Sequence, residues 1–389
     1  MERLQQYFRK LLADITLDFK RYMYGRINWN NRMIGLTAPR GVGKTTLVLQ
    51  YIKENLSPDD SLYASAEDFY FADHSLFDLA ESFSKMGGKY LFIDEIHKYK
   101  NWSQELKLIY DYFPNLKVVF TGSSVLDINK GASDLSRRAV MYHMQGLSFR
   151  EYLELFHKIK IQSFSLSDII NNKVAVSELE YPLVYFREYL KQGYYPFAQD
   201  DDFSIRLRQV INLTLETDIP LYAEMNVSTG RKLKHLLAII AKSVPFKPNI
   251  SSLATMLTAS RNSISDYCLY IEEAGLIAQL RDATGGIRGL GKVDKIYLDN
   301  TNLIYSLAQD EADIGNIRET FFFNQMSVDS DVLVSSVSDF QIDKYTFEVG
   351  GKNKKQKQIQ DIEHAFIVKD DIEFAYSNVI PLWYFGFTY

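Results

Sequence analysis

The stretch Ala38-Pro39-Arg40-Gly41-Val42-Gly43-Lys44-Thr45-Thr46 constrains this chain more than any other. An apolar segment around Met33 to Leu36 leads into it and Leu47-Val48-Leu49 leads out, so it sits where a strand turns into a helix. Small residues at such a junction let backbone N–H groups close around phosphates, and the helix N-terminus adds positive potential there. Lys44 then supplies a point charge to the β and γ phosphates, and the Thr45 hydroxyl is placed to ligate Mg2+. Ala38 stands where the first glycine of G-x-x-x-x-G-K-[ST] falls, which a backbone at negative φ tolerates. A Gly-rich turn with a solvated lysine is the alternative for the motif alone.

A second motif argues against that alternative. The apolar run Tyr90-Leu91-Phe92-Ile93 ends in Asp94-Glu95, as a central parallel strand delivers acids to the sheet edge where ligands bind. Asp94 is expected to hold Mg2+ through water and Glu95 to polarise the attacking water. A third strand, Lys117-Val118-Val119-Phe120, ends in Thr121-Gly122-Ser123-Ser124. Ser123 or Ser124 there suits a contact to the γ phosphate or the lytic water, or else caps an ordinary turn. Asp134-Leu135-Ser136-Arg137-Arg138 follows. Arg138 is the better candidate to stabilise transition-state charge, in cis or from a neighbouring subunit; a surface ion pair is its other reading.

Composition narrows the classes further. A length of 389 residues holds two or three domains. A net charge of -5 argues against nonspecific coating of nucleic acid, though not against a local basic site. The single cysteine, Cys268, lies between Tyr267 and Leu269, so it is expected to be buried in a reducing, cytoplasmic setting. The six histidines show no paired metal spacing, and no apolar run reaches the length of a membrane span.

Strand-like runs at residues 34–37, 62–65, 90–93, 118–121 and 139–144 alternate with helical patterns, which predicts a parallel sheet with helices on both faces. From Leu147-Ser148-Phe149-Arg150-Glu151-Tyr152-Leu153 to about residue 245 the pattern is helical, interrupted by a link at 163–172 and by Gly193-Tyr194-Tyr195-Pro196. Helices at 233–241, 251–257 and 261–273, a Gly-rich segment at 282–292 and a strand at 295–298 predict a winged helix-turn-helix. The third helix carries Arg261 and Asn262 but also Asp266, Glu272 and Glu273, a footprint that suits a protein-docking role as well as DNA. The last eighty or so residues mix a helix at 314–326 with strands near 332 and at 344–349, 365–368 and 379–383. The lysine run 352–357 lies among them, either solvated or in contact with phosphates.

These motifs, in this order, resemble the prokaryotic AAA-type ATPases of the archaeal-ATPase-like group, through Tyr189-Leu190-Lys191-Gln192-Gly193 and beyond. The resemblance implies an α/β fold: a P-loop NTPase domain (1–160), a helical lid or connector (161–231), a winged helix (232–305) and a small α+β domain similar to restriction endonucleases (306–389). For that last domain, Glu319, Asp339, Glu348 and Lys352 are the positions on offer for a magnesium-dependent nuclease set. Gly350 stands where the lysine belongs, so an inactive relative is expected. The function expected is an ATPase that uses ATP and Mg2+ to move C-terminal interaction domains against a protein partner or as a homo-oligomer, without a membrane. An ATP-gated DNA-binding or nuclease protein, and a slow-turnover nucleotide-dependent scaffold, are the alternatives.

Overall fold

The computed structural model describes all residues except 123–134, 224, 226, 243–244, 246, 284–290, 309–311 and 355–358. Ser123, Ser124, Asp134, Lys355 and Lys357, together with part of the Gly-rich segment, therefore lie outside the described residues. The chain forms two compact units, Met1–Gly146 and Leu147–Tyr389.

In the first unit, β1 (Met33–Thr37), β2 (Ser61–Ser65), β3 (Tyr90–Asp94), β4 (Lys117–Gly122) and β5 (Val140–His143) form one sheet in the order β2-β3-β4-β1-β5. Every pairing is parallel. The strands fall at the positions expected from the apolar runs. Every residue of β1 is buried, and β2, β3 and β4 are buried at all but one position each, as the centre of a sheet covered on both faces requires. Helices Lys44–Asn55, Leu76–Lys85 and Trp102–Tyr112 connect them. Ser75 and Asp78 close a reciprocal capping box that starts the second of these. Before β1, helix Glu2–Asp14 buries Leu4, Phe8 and Leu12, a stripe at four-residue spacing.

This order sets the functional geometry. β4 lies between β1 and β3, so the phosphate-loop strand and the carboxylate strand are not neighbours, and their ends flank that of β4 at one edge.

The second unit opens with helix Phe149–His157, capped by Ser148 and Glu151. The expected link at 163–172 contains a short helix, Leu166–Ile170, because Ser165 and Asp168 supply a second capping box. Helices Pro182–Gln192, Phe203–Leu213, Val227–Lys242, Ile250–Met256 and Arg261–Glu273 follow, then an antiparallel pair, β6 (Ile277–Arg281) and β7 (Val293–Leu298). Cys268 is buried, which pushes its thiol up to about 12. After helices Thr301–Ala308 and Ile314–Met326 comes a mixed sheet of β8 (Val332–Val334), β9 (Phe340–Ile342), β10 (Tyr345–Gly350), β11 (Ala365–Lys369) and β12 (Val379–Pro381). The pairs β8–β9 and β9–β10 are antiparallel; β10–β11 and β11–β12 are parallel. β9 has three residues, too short for an alternation to announce it. The expected strand at 379–383 stops at Pro381, which has no N–H for the ladder, and Leu382–Phe387 continues as a 3-10 helix. Among the described residues, no helix is long and apolar enough to cross a membrane.

Candidate functional site

The phosphate loop turns on two glycines in the left-handed region, Gly41 at φ 83° and Gly43 at φ 97°. A side chain would be strained at either position. Ala38 is not among the residues with positive φ, so its Cβ is accommodated and it is fully buried. Gly43 is also the N-cap of helix Lys44–Asn55, which aims that helix's first-turn N–H groups at the loop. Lys44 is buried, its Nζ 3.2 Å from the carbonyls of both Ala38 and Pro39. The ammonium is thus held over the loop by oxygens that phosphate oxygens can replace.

Asp94, at the end of β3, is the hub of the site. Its Oδ2 accepts from the Thr45 hydroxyl at 2.7 Å and from the Tyr63 hydroxyl at 2.6 Å. Its Oδ1 accepts from the Thr121 hydroxyl and from the Glu95 N–H, the latter at 3.1 Å. The strand order explains the set: Tyr63 comes from β2 and Thr121 from β4, the two neighbours of β3, while Thr45 arrives on the helix after β1. Hydrogen bonds to an ionised acceptor are the stronger kind, and here they fix the rotamer of a buried carboxylate. Burial, then the adjacent Asp94 charge, pushes the Tyr63 phenol up, so it remains a donor.

Thr45 and Asp94 present hard oxygen donors at hydrogen-bond distance, a set that suits Mg2+. Among the described residues, no group of three or more His, Cys, Asp or Glu could hold a metal by itself. A magnesium ion held here would need its other ligands from water and phosphate, as that ion prefers.

Glu95 stands at φ 51° and ψ 43°, a left-handed conformation uncommon outside glycine. Its Oε2 lies 3.5 Å from Nε2 of buried His97. The structure thus brings Lys44, Thr45, Asp94 and Glu95 to one edge of the sheet.

Arg138 is not brought there. It pairs with Asp111 at 2.9 and 3.1 Å, just before β5 begins. Asp111 is in the last turn of helix Trp102–Tyr112. The neighbouring Tyr110 ring also stacks under Arg32, which immediately precedes β1. That is the edge where the strands start. The five-residue β1 spans about 16 Å, which separates this edge from the loop.

The second unit gathers the other carboxylates singled out in the sequence. Glu319 lies 3.4 Å from Lys295 Nζ and accepts from the Tyr297 hydroxyl at 2.7 Å. Asp339 lies 3.8 Å from the same Lys295 and accepts from the Val349 N–H at 2.9 Å. Glu348, buried, pairs with Lys354 at 2.6 Å and accepts from the Ser338 hydroxyl. The lysine meeting Glu348 is therefore Lys354, not Lys352; the Lys352 carbonyl instead accepts from Lys369 at 3.1 Å. Burial lowers the Lys354 ammonium, but the Glu348 bond together with the charges of Glu348, Asp339 and Glu319 outweighs it and raises the group above its ordinary value. Sequence reasoning missed Tyr63, the contact of Thr121 to Asp94, His97, Lys295 and Lys354. Thr121 lies in the motif that ends β4, Lys354 in the lysine run, and Tyr63 and Lys295 in the expected strands 62–65 and 295–298, but none of these local patterns states the contact.

The parallel sheet, the loop after β1 and the acid pair closing β3 make the first unit a P-loop NTPase fold. Residues 30–153 match the AAA domain family, and residues 184–313 match a domain family of unknown function, DUF8612. An uncharacterised protein of Methanocaldococcus jannaschii is 29% identical over 273 residues. The match covers 65% of this chain and 57% of that protein, so the chain spans little more than half the length of this relative. Among solved structures, the Walker-type ATPase of Pyrococcus abyssi overlaps with a TM-score of 0.44 at 13% identity, over 76% of this chain and 99% of the other. The Hsp104–ADP complex of S. cerevisiae overlaps with a TM-score of 0.27 at 15% identity, over 70% of this chain and 38% of the other.

Proposed function

We propose that this chain is an AAA-type ATPase that binds Mg-ATP in the first unit and uses its hydrolysis to rearrange the C-terminal part against a partner. The observation that carries the reading is the 2.7 Å bond from Thr45 to Asp94, which joins the phosphate loop to the acid at the end of β3. Pro39, Arg40, Gly41, Val42, Gly43 and Thr46 wrap the phosphates. Lys44 neutralises them, Thr45 ligates Mg2+, Asp94 orders its water shell and Glu95 polarises the lytic water. Thr121 joins Ser123 as a candidate sensor, since it already touches Asp94. Arg138 stands at the opposite edge from its own phosphate loop, which favours action on the nucleotide of a neighbouring copy over action in cis.

We read residues 161–231 as a connector, 232–305 as a winged helix used for protein docking, and 306–389 as a domain that does not cleave nucleic acid. Among the described residues, Glu319, Asp339 and Glu348 do not gather into a group that could hold a metal ion, and Lys354 of the basic run is paired with Glu348.

The test is steady-state ATP hydrolysis by wild type, Lys44→Ala and Glu95→Gln across protein concentrations, with and without duplex DNA. Lys44→Ala should abolish nucleotide binding, whereas Glu95→Gln should retain ATP without turnover. Turnover unchanged in Glu95→Gln sinks the assignment, stimulation by DNA revives a DNA-gated protein, and slow turnover with tight retention makes the chain a switch-like scaffold.

A further inference from the structure

Residues 1–29, ahead of β1, lie outside the matched AAA domain, yet this segment reaches the phosphate loop. Arg21 is only 5% exposed. Its Nη1 donates to the carbonyl of Val42 in the loop, and its Nη2 donates to the carbonyl of Gln145 at 2.6 Å. The adjacent Tyr22 hydroxyl accepts the Gln145 N–H at 3.0 Å. Both backbone polar groups of Gln145 therefore end on consecutive residues of the N-terminal segment. One residue earlier, the Met144 N–H donates to the carbonyl of Thr37 at 2.8 Å, where β1 ends and the loop begins. Gln145 directly precedes Gly146, the last residue of the first unit.

The residue type fits this double grip. A guanidinium is a rigid planar fork of donors that stays charged, so it can hold two carbonyls in a fixed relation. The Val42 peptide is flanked by Gly41 and Gly43, both in the left-handed region. Its orientation is therefore set by the turn that points N–H groups at phosphates. Closure of the loop on phosphates and the bond to Arg21 depend on the orientation of the same peptide.

We infer that Arg21 is a positioning residue that holds the phosphate loop ready for phosphate and passes its occupancy to the Gln145 peptide, where the chain leaves the first unit. This rests on the ATP-site reading above. It gives that reading a physical route from the nucleotide to the start of the second unit, through one side chain from outside the matched domain.

The experiment uses the full chain with Mg2+ and ADP, following mant-labelled ADP binding and amide hydrogen exchange at Gln145. In wild type, nucleotide should slow exchange at Gln145. Arg21→Gln should bind mant-ADP about tenfold more weakly, and Gln145 should no longer respond to nucleotide. Tyr22→Phe should keep the affinity within about twofold, because the Val42 contact is intact, while raising basal exchange at Gln145. An Arg21 that merely supports the fold would lower the melting temperature but leave the nucleotide response of Gln145 in place. That response in Arg21→Gln, or wild-type affinity, overturns the inference. Should Arg21→Gln not fold, Arg21→Lys keeps the charge without the two-pronged fork and is read by the same two measurements. A wild type that fails to bind mant-ADP overturns the ATP-site reading itself.

Discussion

Asp339→Asn should make the protein more stable at neutral pH, although it removes a residue from the nuclease-like set. Burial first, then the charge of Glu319, pushes the Asp339 carboxyl from its ordinary 3.8 up to about 6, against the opposing Val349 N–H and Lys295. The difference is worth about 3 kcal/mol against the charged form in the folded state. Because the folded pKa is raised, the folded protein binds the proton more readily than the unfolded chain. Stability is therefore lost as pH rises from about 4 to about 6, and it stays reduced above that. Asparagine removes the charge but keeps a carbonyl for the Val349 N–H. Lys295 loses a counter-charge at 3.8 Å yet retains Glu319 at 3.4 Å. The net gain expected at pH 7 is about 1 to 3 kcal/mol, shrinking toward zero near pH 4. Urea unfolding of both proteins at several pH values measures it. An Asp339→Asn variant no more stable than wild type at pH 7, or a gap that does not close on acidification, refutes this reasoning.

Tyr63→Phe removes one of the donors to Asp94 and should raise the Mg2+ concentration for half-maximal ATP hydrolysis by about tenfold or more, as loss of an outer-shell partner does; a metal titration giving the wild-type midpoint excludes that role. Arg138→Ala should abolish the rise of specific activity with protein concentration, and mixing it with Lys44→Ala should restore turnover if Arg138 serves a neighbouring copy. No recovery on mixing, with full activity in Arg138→Ala alone, removes Arg138 from the site.

The phosphate loop, the Asp94-Glu95 pair and all five strands of the first sheet are readable from the sequence because each is a local pattern: neighbouring residues whose spacing decides turn, strand or helix. The capping box at Ser165 and Asp168 was equally local and readable, and marks a helix where a link was expected. Contacts between distant residues follow another rule. Tyr63 and Thr121 meet Asp94 only because β3 lies between β2 and β4, and nothing in the sequence near either residue states that order. Arg21 reaches Val42 and Gln145 across 21 and 124 residues. Lys295 meets Glu319 and Asp339 only after β7 has folded beside the helix carrying Glu319. Arg138 is identifiable as a candidate, and its place at the starting edge, away from the phosphate loop, follows once it precedes a strand parallel to β1; its partner Asp111 does not. Local periodicity specifies elements, because propensity and amphipathicity act within a few residues. Partners of buried charges come instead from the order and register in which those elements pack, where each polar group removed from water must find its bond.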